Sequence, residues 1–263
     1  MKIARSALAK VILSVGLIFG YVAVTSYLVS QSLFRQGRLA NAAHKIISNP
    51  IVQNDISNAI TSSISSSIGN IPANAGTEIN VALRSVFATQ GMQNIFTNVL
   101  SLAQARLMGQ NVGTITIGGP SLTTPLSQAL QPVDPGLANS IKNAPLQVNI
   151  PGTSVPNLGT MNRALPRVER DAAEGALICI ALALLISPKR FHILRRIGFA
   201  AIGFSFLNAF FFWLLPTYIL PLTGYSWTPV ASVVLSALGG PAIATMIILL
   251  IAGIGLVIVS TVL

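Results

Sequence analysis

The chain consists of one long apolar run, a single long polar segment and three further apolar segments, in that order. The first run, Val11–Val29, has 19 residues without a charge, close to the about 20 that a helix needs to cross the hydrocarbon core of a bilayer. The polar segment Ser32–Arg170 follows, and then three more apolar segments, Ala172–Ser187, Phe199–Leu220 and Ala242–Leu263. This pattern predicts a membrane protein of mainly α class, with four transmembrane helices and a mostly helical domain between the first and second.

The apolar runs set the segment boundaries. We expect a cytoplasmic N-terminus at 1–10, transmembrane helices at 11–30, 172–187, 199–220 and 242–263, an extracytoplasmic helical domain at 31–171, a basic cytoplasmic loop at 188–198, and an outer loop with an interfacial segment at 221–241. A cleaved signal peptide is the alternative for the first run. Its apolar region would be about 7–15 residues long and would end at a small-x-small site. Tyr27-Leu28-Val29 is bulky there, so we favour an uncleaved anchor.

Helical periodicity dominates the polar segment. Ser48-Asn49-Pro50 is typical of a helix start, with a capping side chain before a proline in the first turn. Apolar residues then recur every four positions from Val52 to Ile68, and Thr89–Met108 repeats the pattern. Val112–Ile117 alternates and predicts a strand, which could pair with Gln147–Ile150 as a minor two-stranded sheet around a helical insert.

Two further segments are expected to connect the domain to the membrane. Leu33–Ile47 and Asn157–Asp171 each carry apolar residues on one helical face. We expect both membrane helices to extend outward and pack together as a two-helix stalk, with Gly37 and Pro166 as the only breaks.

Charge is scarce and unevenly placed. Only 8% of the 263 residues are charged, against about 25% in soluble proteins. Four basic residues lie between the second and third apolar segments, and none follows the third. Basic loops favour the cytoplasmic side. Both termini should therefore be cytoplasmic. The residues that we expect to determine this topology are Lys2, Arg5, Lys10, Lys189, Arg190, Arg195 and Arg196.

The net charge of +10 does not indicate a nucleic-acid partner. Seven of the basic residues flank apolar segments, and the others are too dispersed to follow a phosphate backbone. The bilayer is the expected partner, together with another envelope protein or a second copy of the chain.

Catalytic and metal-binding patterns are missing from the sequence. The polar segment has one histidine, His44, and the single cysteine, Cys179, lies in an apolar run. Metal sites need three or four clustered ligands, and general acid–base catalysis needs a positioned proton carrier. We therefore expect no metal, no cofactor and no enzymatic activity.

Three residues suggest helix association within the membrane. Gly16 and Gly20 form a GxxxG pattern, which lets two helix backbones approach closely, although chance is the alternative explanation. Asn208 is the one strongly polar residue well inside the third apolar segment, and we expect it to bond across to a neighbouring helix.

The layout resembles a group of actinobacterial integral membrane proteins of unknown function. Ile46-Ile47-Ser48-Asn49-Pro50-Ile51-Val52 is similar to the group's leucine–acidic–proline–valine helix start, Ala88–Ala103 to its second helix, and Arg195-Arg196-Ile197-Gly198 to its basic loop. The chain departs from the group in having Ser-Asn before the proline and no tryptophan in Met92–Phe96. The resemblance implies the same four-span architecture and no activity.

Three hypotheses of function follow. The first is a multi-pass protein of the cell membrane that acts as a non-enzymatic binding or scaffold protein through its extracytoplasmic domain. The second is an accessory or sensory subunit of a membrane complex. The third is a hydrolase with an unrecognised site.

Overall fold

The computed structural model describes residues 2–68, 75–144, 147–223 and 228–262. In chain order, its α-helices are α1 Lys2–Val29, α2 Arg38–Ile47, α3 Pro50–Ile68, α4 Ala75–Phe87, α5 Gln90–Leu107, α6 Pro120–Leu130, α7 Pro135–Asn143, α8 Gly159–Ile186, α9 Arg190–Ala209, α10 Thr228–Leu238 and α11 Gly240–Val262. The strands are β1 Ile115–Gly118 and β2 Gln147–Ile150. Wider π-helical turns follow α1 at Ser30–Phe34 and α9 at Phe210–Ile219, and short 3-10 turns occupy Gly152–Ser154 and Leu220–Thr223.

The chain divides into two compact units. The apolar unit comprises Met1–Arg35, Thr160–Leu222 and Leu238–Leu263, and the polar unit comprises Gln36–Gly159 and Thr223–Ala237.

Three helices of the apolar unit are long and apolar enough to cross a bilayer: Arg5–Phe34, Arg190–Ile219 and Ala242–Val262. Their large apolar side chains are mostly turned outward, and Ile248 of α11, for example, is 66% exposed. Contiguous apolar surface of this extent is costly in water and is typical of a lipid-facing helix. The unit therefore fits a multi-pass membrane protein.

The helices that contain the first and third predicted spans are longer than those spans. The first reaches Phe34 through its π-helical turn rather than ending at residue 30. The predicted basic loop 188–198 is wrong, because α9 already begins at Arg190 and only Ser187–Lys189 separate it from α8. Lysine and arginine are good helix formers, and their long stems let the charged heads reach water from a helix beside a membrane.

The polar unit has its own apolar core. The large buried side chains come from α2 to α6, with smaller contributions from α7. The buried cluster comprises Ile47, Ile60, Ile64, Ile79, Ala82, Leu83, Val86, Phe87, Met92, Phe96, Leu122, Leu126, Leu130, Leu137, Ala138 and Ile141. The first part of the helical stripe expected on Thr89–Met108 lies in this core through Met92 and Phe96. The rings of Phe87 and Phe96 meet edge to face with centroids 6.3 Å apart.

Helix starts follow the local capping rules. The Asn49 side chain accepts a hydrogen bond from the Ile51 amide at 3.0 Å. Asn49 lies one residue before Pro50, where α3 begins, and Ile51 lies one residue after it. Thr89 accepts from the Met92 amide at the start of α5. The sequence also predicts a break in the helical pattern at Asn70–Gly76, before α4, and most of this segment lies outside the described residues.

The two predicted strand segments lie side by side. β1 and β2 are antiparallel, with Ile115 opposite Ile150 and Gly118 opposite Gln147. Thr116 donates from its hydroxyl to the Asn149 side chain at 2.9 Å across this two-stranded ribbon. The first strand begins at Ile115, later than the alternating pattern predicts.

The prediction of a two-helix stalk is wrong for its first segment, Leu33–Ile47, which follows α1. The chain leaves the helical conformation at Arg35, which is extended, and Gly37 adopts φ +76° before α2 begins. A positive φ is readily available to glycine, so the chain can change direction here. The apolar face of α2, which includes Leu39, Ala43 and Ile46, is buried inside the polar unit, where α2 packs against α5. On the other side, α8 continues through Pro166 without a break.

Candidate functional site

A basic cavity is the most distinctive polar feature of the apolar unit. It has a volume of about 170 Å³ and lies where the start of α1, the end of α8 and the start of α9 meet. Its polar lining consists of Ser6, Lys10, Ser187, Lys189, His192 and Arg196. Three cations and a histidine, separated by as many as 186 positions in the sequence from Lys10 to Arg196, thus surround one space.

The floor of the cavity is apolar and well packed. Ala9 and Leu13 of α1 and Ile193 of α9 line it, and all three belong to a buried cluster that also contains Ala183 of α8. The backbones that carry the cations are therefore fixed relative to one another, while the charged side chains themselves are exposed.

The described helices that line the cavity carry no carboxylate close to it. Neither α1 nor α9 contains an acidic residue, and the nearest acid along α8 is Glu174. At 1.5 Å per residue, Glu174 lies about 18 Å along the helix axis from Ile186, the last residue of α8. In the described part of the chain, Arg170 meets Asp171 and Glu174 on an exposed face of α8, away from the cavity.

The first turn of α9 adds to the positive field. Its N-cap, Lys189, makes no side-chain capping bond, and the turn contains no acidic residue. The N-terminus of a helix carries unsatisfied N–H groups and about half a positive charge. His192 and Ile193 belong to this turn and line the cavity.

The other predicted topology residues do not line the cavity. Arg5 and Arg195 are exposed elsewhere on α1 and α9, and Arg190 lines a shallow neighbouring depression. Lys2 begins α1, but its side chain lies outside the described residues.

Gly16 and Gly20 lie at a close helix contact within the chain. A Cβ atom on Gly16 would meet the Cβ of Cys179 on α8 at 2.8 Å, and one on Gly20 would meet the Cβ of Ala176 at 3.9 Å. The GxxxG face of α1 is thus covered by α8 of the same chain. Self-association through this face stays a prediction.

Asn208 is buried but does not bond across to another helix as expected. Its amide donates to the Phe204 carbonyl of α9 itself at 2.7 Å. The interhelical bond is made by Ser205, whose hydroxyl donates to the Met246 carbonyl of α11 at 2.8 Å. One turn of helix separates the two polar side chains, and only the tertiary packing selects the one that faces α11.

The sequence does not predict the close contact between α9 and α11 in the apolar unit. A Cβ atom on Gly198 of α9 would lie 2.7 Å from the Gly253 carbonyl oxygen of α11, and the reverse distance is also 2.7 Å. The two backbones therefore touch at a pair of glycines. Neither glycine belongs to a GxxxG pattern, so the local sequence carried no signal for the contact.

The polar unit has an apolar groove between α4 and the end of α6. The groove has a volume of about 250 Å³ and is bounded by Val81 and Val133, with Ala82 and Ala129 between them. Val81 is 64% exposed and Val133 59% exposed, although the core directly beneath them is closed. Glu78 lies at the rim.

His44 shows no catalytic arrangement. It is exposed on α2, and its ring lies 3.4 Å from the Ser48 hydroxyl one turn later. Within 2–68, 75–144, 147–223 and 228–262, no three His, Cys, Asp or Glu side chains gather as a metal site would require.

Comparison with known proteins adds no assignment. No protein-family model matches the chain, and neither a curated protein nor a solved structure does.

Proposed function

We propose that this chain is a multi-pass protein of the cell membrane that acts as a non-enzymatic binding or scaffold protein. The polar unit would be extracytoplasmic and would contact another envelope protein. The apolar groove carries this proposal, because two valines remain largely exposed on a unit that has already completed its core. Exposed apolar surface rimmed by polar groups is typical of a protein interaction site.

The same proposal includes a fourth span. Residues 172–186 of the predicted span 172–187 are the last part of α8, and their apolar side chains divide into two sets. Ala176 and Ala183 are buried against the other helices, while Leu177 and Leu185 are about 70% exposed, at 69% and 72%. A helix packed on one side and apolar on the other fits a position between protein and lipid.

Span count and orientation can be tested by cysteine labelling on intact cells. In a Cys179→Ala background, a cysteine at Ser65 should react with an impermeant thiol reagent, whereas one at Phe191 should react only after lysis. Both positions are exposed on the protein. The reaction therefore reports on which side of the membrane each cysteine lies. Labelling of Phe191 alone on intact cells would refute the orientation.

The groove can be tested with a photo-crosslinking residue at Val133 in the full chain. The matched control is Asn41, which is exposed on α2 and does not line the groove. We expect one protein adduct at Val133 that is absent at Asn41 and is lost when Val81→Asp places a charge in the groove. An adduct that survives Val81→Asp, or equal adducts at both positions, would contradict a role for the groove.

A second candidate function is an accessory or sensory subunit of a membrane complex. It is favoured by α8, which is one uninterrupted helix from Gly159 to Ile186 and ends beside the cavity-lining Ser187 and Lys189. Copurification of the full chain at stoichiometric levels with integral membrane proteins would favour this alternative over an isolated scaffold.

A further inference from the structure

We propose that the basic cavity at the junction of α1, α8 and α9 binds a phosphate group of an anionic ligand. The site goes beyond the binding role proposed for the polar unit, since it uses other residues and other chemistry. Its ligand is defined by charge: a phosphate monoester or diester, presented either by an anionic lipid headgroup or by a soluble molecule.

Convergent positive charge is the first argument. Lys10, Lys189 and Arg196 come from two helices and one connecting turn and line the same space. Like charges that are gathered on a rigid frame repel one another, and an anion between them removes that repulsion. Neither α1 nor α9 contains a carboxylate, and Glu174, the nearest acid along α8, lies about 18 Å along the helix axis from Ile186.

Hydrogen-bonding capacity is the second argument. A phosphate has several acceptor oxygens, and the cavity presents mainly donors: two lysine ammoniums, the Arg196 guanidinium, and the Ser6 and Ser187 hydroxyls. Arginine recognises phosphate in a bidentate manner, and lysine adds a mobile point charge. The uncapped first turn of α9 contributes its dipole to the same space.

The floor of the cavity favours a lipid as the source of the phosphate. Leu13 and Ile193 lie at the bottom, and α1 continues from there as an apolar helix with exposed side chains such as Val11 and Val15. A headgroup in the cavity would place its acyl chains along this surface. Basic pockets between helices on the cytoplasmic side of a membrane bind anionic headgroups in this way.

The test uses the full chain, purified in a neutral detergent, and native mass spectrometry. Phosphatidylglycerol and phosphatidylcholine with identical acyl chains are the lipid probes, and inorganic phosphate and glycerol 3-phosphate are the soluble probes. The cavity variant is Lys10→Gln with Arg196→Gln. The matched control is Arg5→Gln with Arg195→Gln, which removes the same charge from exposed positions that do not line the cavity.

We expect the wild-type chain to retain phosphatidylglycerol in preference to phosphatidylcholine. Each cation removed from the cavity should weaken that binding about fivefold, so the cavity variant should lose roughly 30-fold. The control should lose less than about threefold, because its charges act only through solvent. If the double variant lowers the melting temperature, the single variants Lys10→Gln and Arg196→Gln replace it. Each should weaken phosphatidylglycerol binding about fivefold.

The soluble probes distinguish the two sources. Competition by inorganic phosphate or glycerol 3-phosphate at millimolar concentration, lost in the cavity variant, would support a soluble phosphate ligand at the same site. Equal losses in the cavity and control variants would overturn the proposal, since they would show a diffuse surface field. Failure of the wild-type chain to bind any of the anionic probes would overturn it as well.

Discussion

Gly109 ends α5 in a conformation that another residue would adopt only with strain. Its φ is +95°, and its amide donates to the Arg106 carbonyl at 3.0 Å while the Gln110 amide donates to the Ala105 carbonyl at 2.9 Å. This pair of bonds defines a Schellman motif, which commonly requires glycine at the left-handed position. We expect Gly109→Ala to destabilise the polar unit markedly.

The magnitude has two parts. Alanine in the left-handed region costs roughly 1–2 kcal/mol. A Cβ atom would also lie 2.6 Å from the Cα of Gly159, and that backbone must move away. The movement would weaken the 3.1 Å bond from the Leu158 amide to the Leu107 carbonyl, which contributes about 0.5–1.5 kcal/mol. Together the two parts come to about 1.5–3.5 kcal/mol, or roughly a 10- to 400-fold change in an equilibrium constant.

Amide hydrogen exchange on the full chain in detergent measures this change, because the slowest amides of α5 report the opening of the unit that contains them. These amides should exchange roughly 10- to 400-fold faster in Gly109→Ala, because the exchange rate follows the change in the opening equilibrium. Gly91→Ala is the control within the same helix. Gly91 has no neighbouring atom within 4 Å of an added Cβ, and alanine favours the helix, so exchange should be unchanged or slower. Equal effects of the two substitutions would refute the geometric argument at Gly109.

Two further predictions rest on matched pairs. Phe96→Asp places an unpaired charge at a position that is 7% exposed, which costs several kcal/mol, whereas Asn98→Asp on the exposed face of α5 should be mild. Limited proteolysis of the full chain checks this pair, and equal sensitivity would mean that α5 is not packed by its apolar stripe. Gly198→Ala should lower the melting temperature by several degrees, because its Cβ would lie 2.7 Å from the Gly253 carbonyl, while Gly203→Ala enters open space and should have little effect. A thermal melt that ranks Gly203→Ala as the more harmful would contradict the close contact of α9 and α11.

Local patterns determined most of the secondary structure. The four-residue spacing from Val52 to Ile68 predicts a helix, and the described part of that stripe is buried. The same logic holds for α5 and for its threonine cap, because a capping bond joins residues only three positions apart. Apolar length predicts a membrane helix at 242–263, and the structure has a helix at Ala242–Val262 that is long and apolar enough to cross a bilayer. Each of these features depends on neighbours in the sequence, so the sequence alone contains it.

Tertiary structure decided the features that need two distant segments. Gly37 is a possible break in the sequence, but only the structure shows that the helix after it, α2, is buried against α5. Ser205 rather than Asn208 bonds to α11, because helix rotation is set by the packing of whole faces. The sequence pattern indicates that three basic residues flank separate membrane segments, but in the folded structure they line one cavity: Lys10, Lys189 and Arg196. Spacing in the sequence cannot predict such a convergence, because each basic residue satisfies its local role equally well with or without the others.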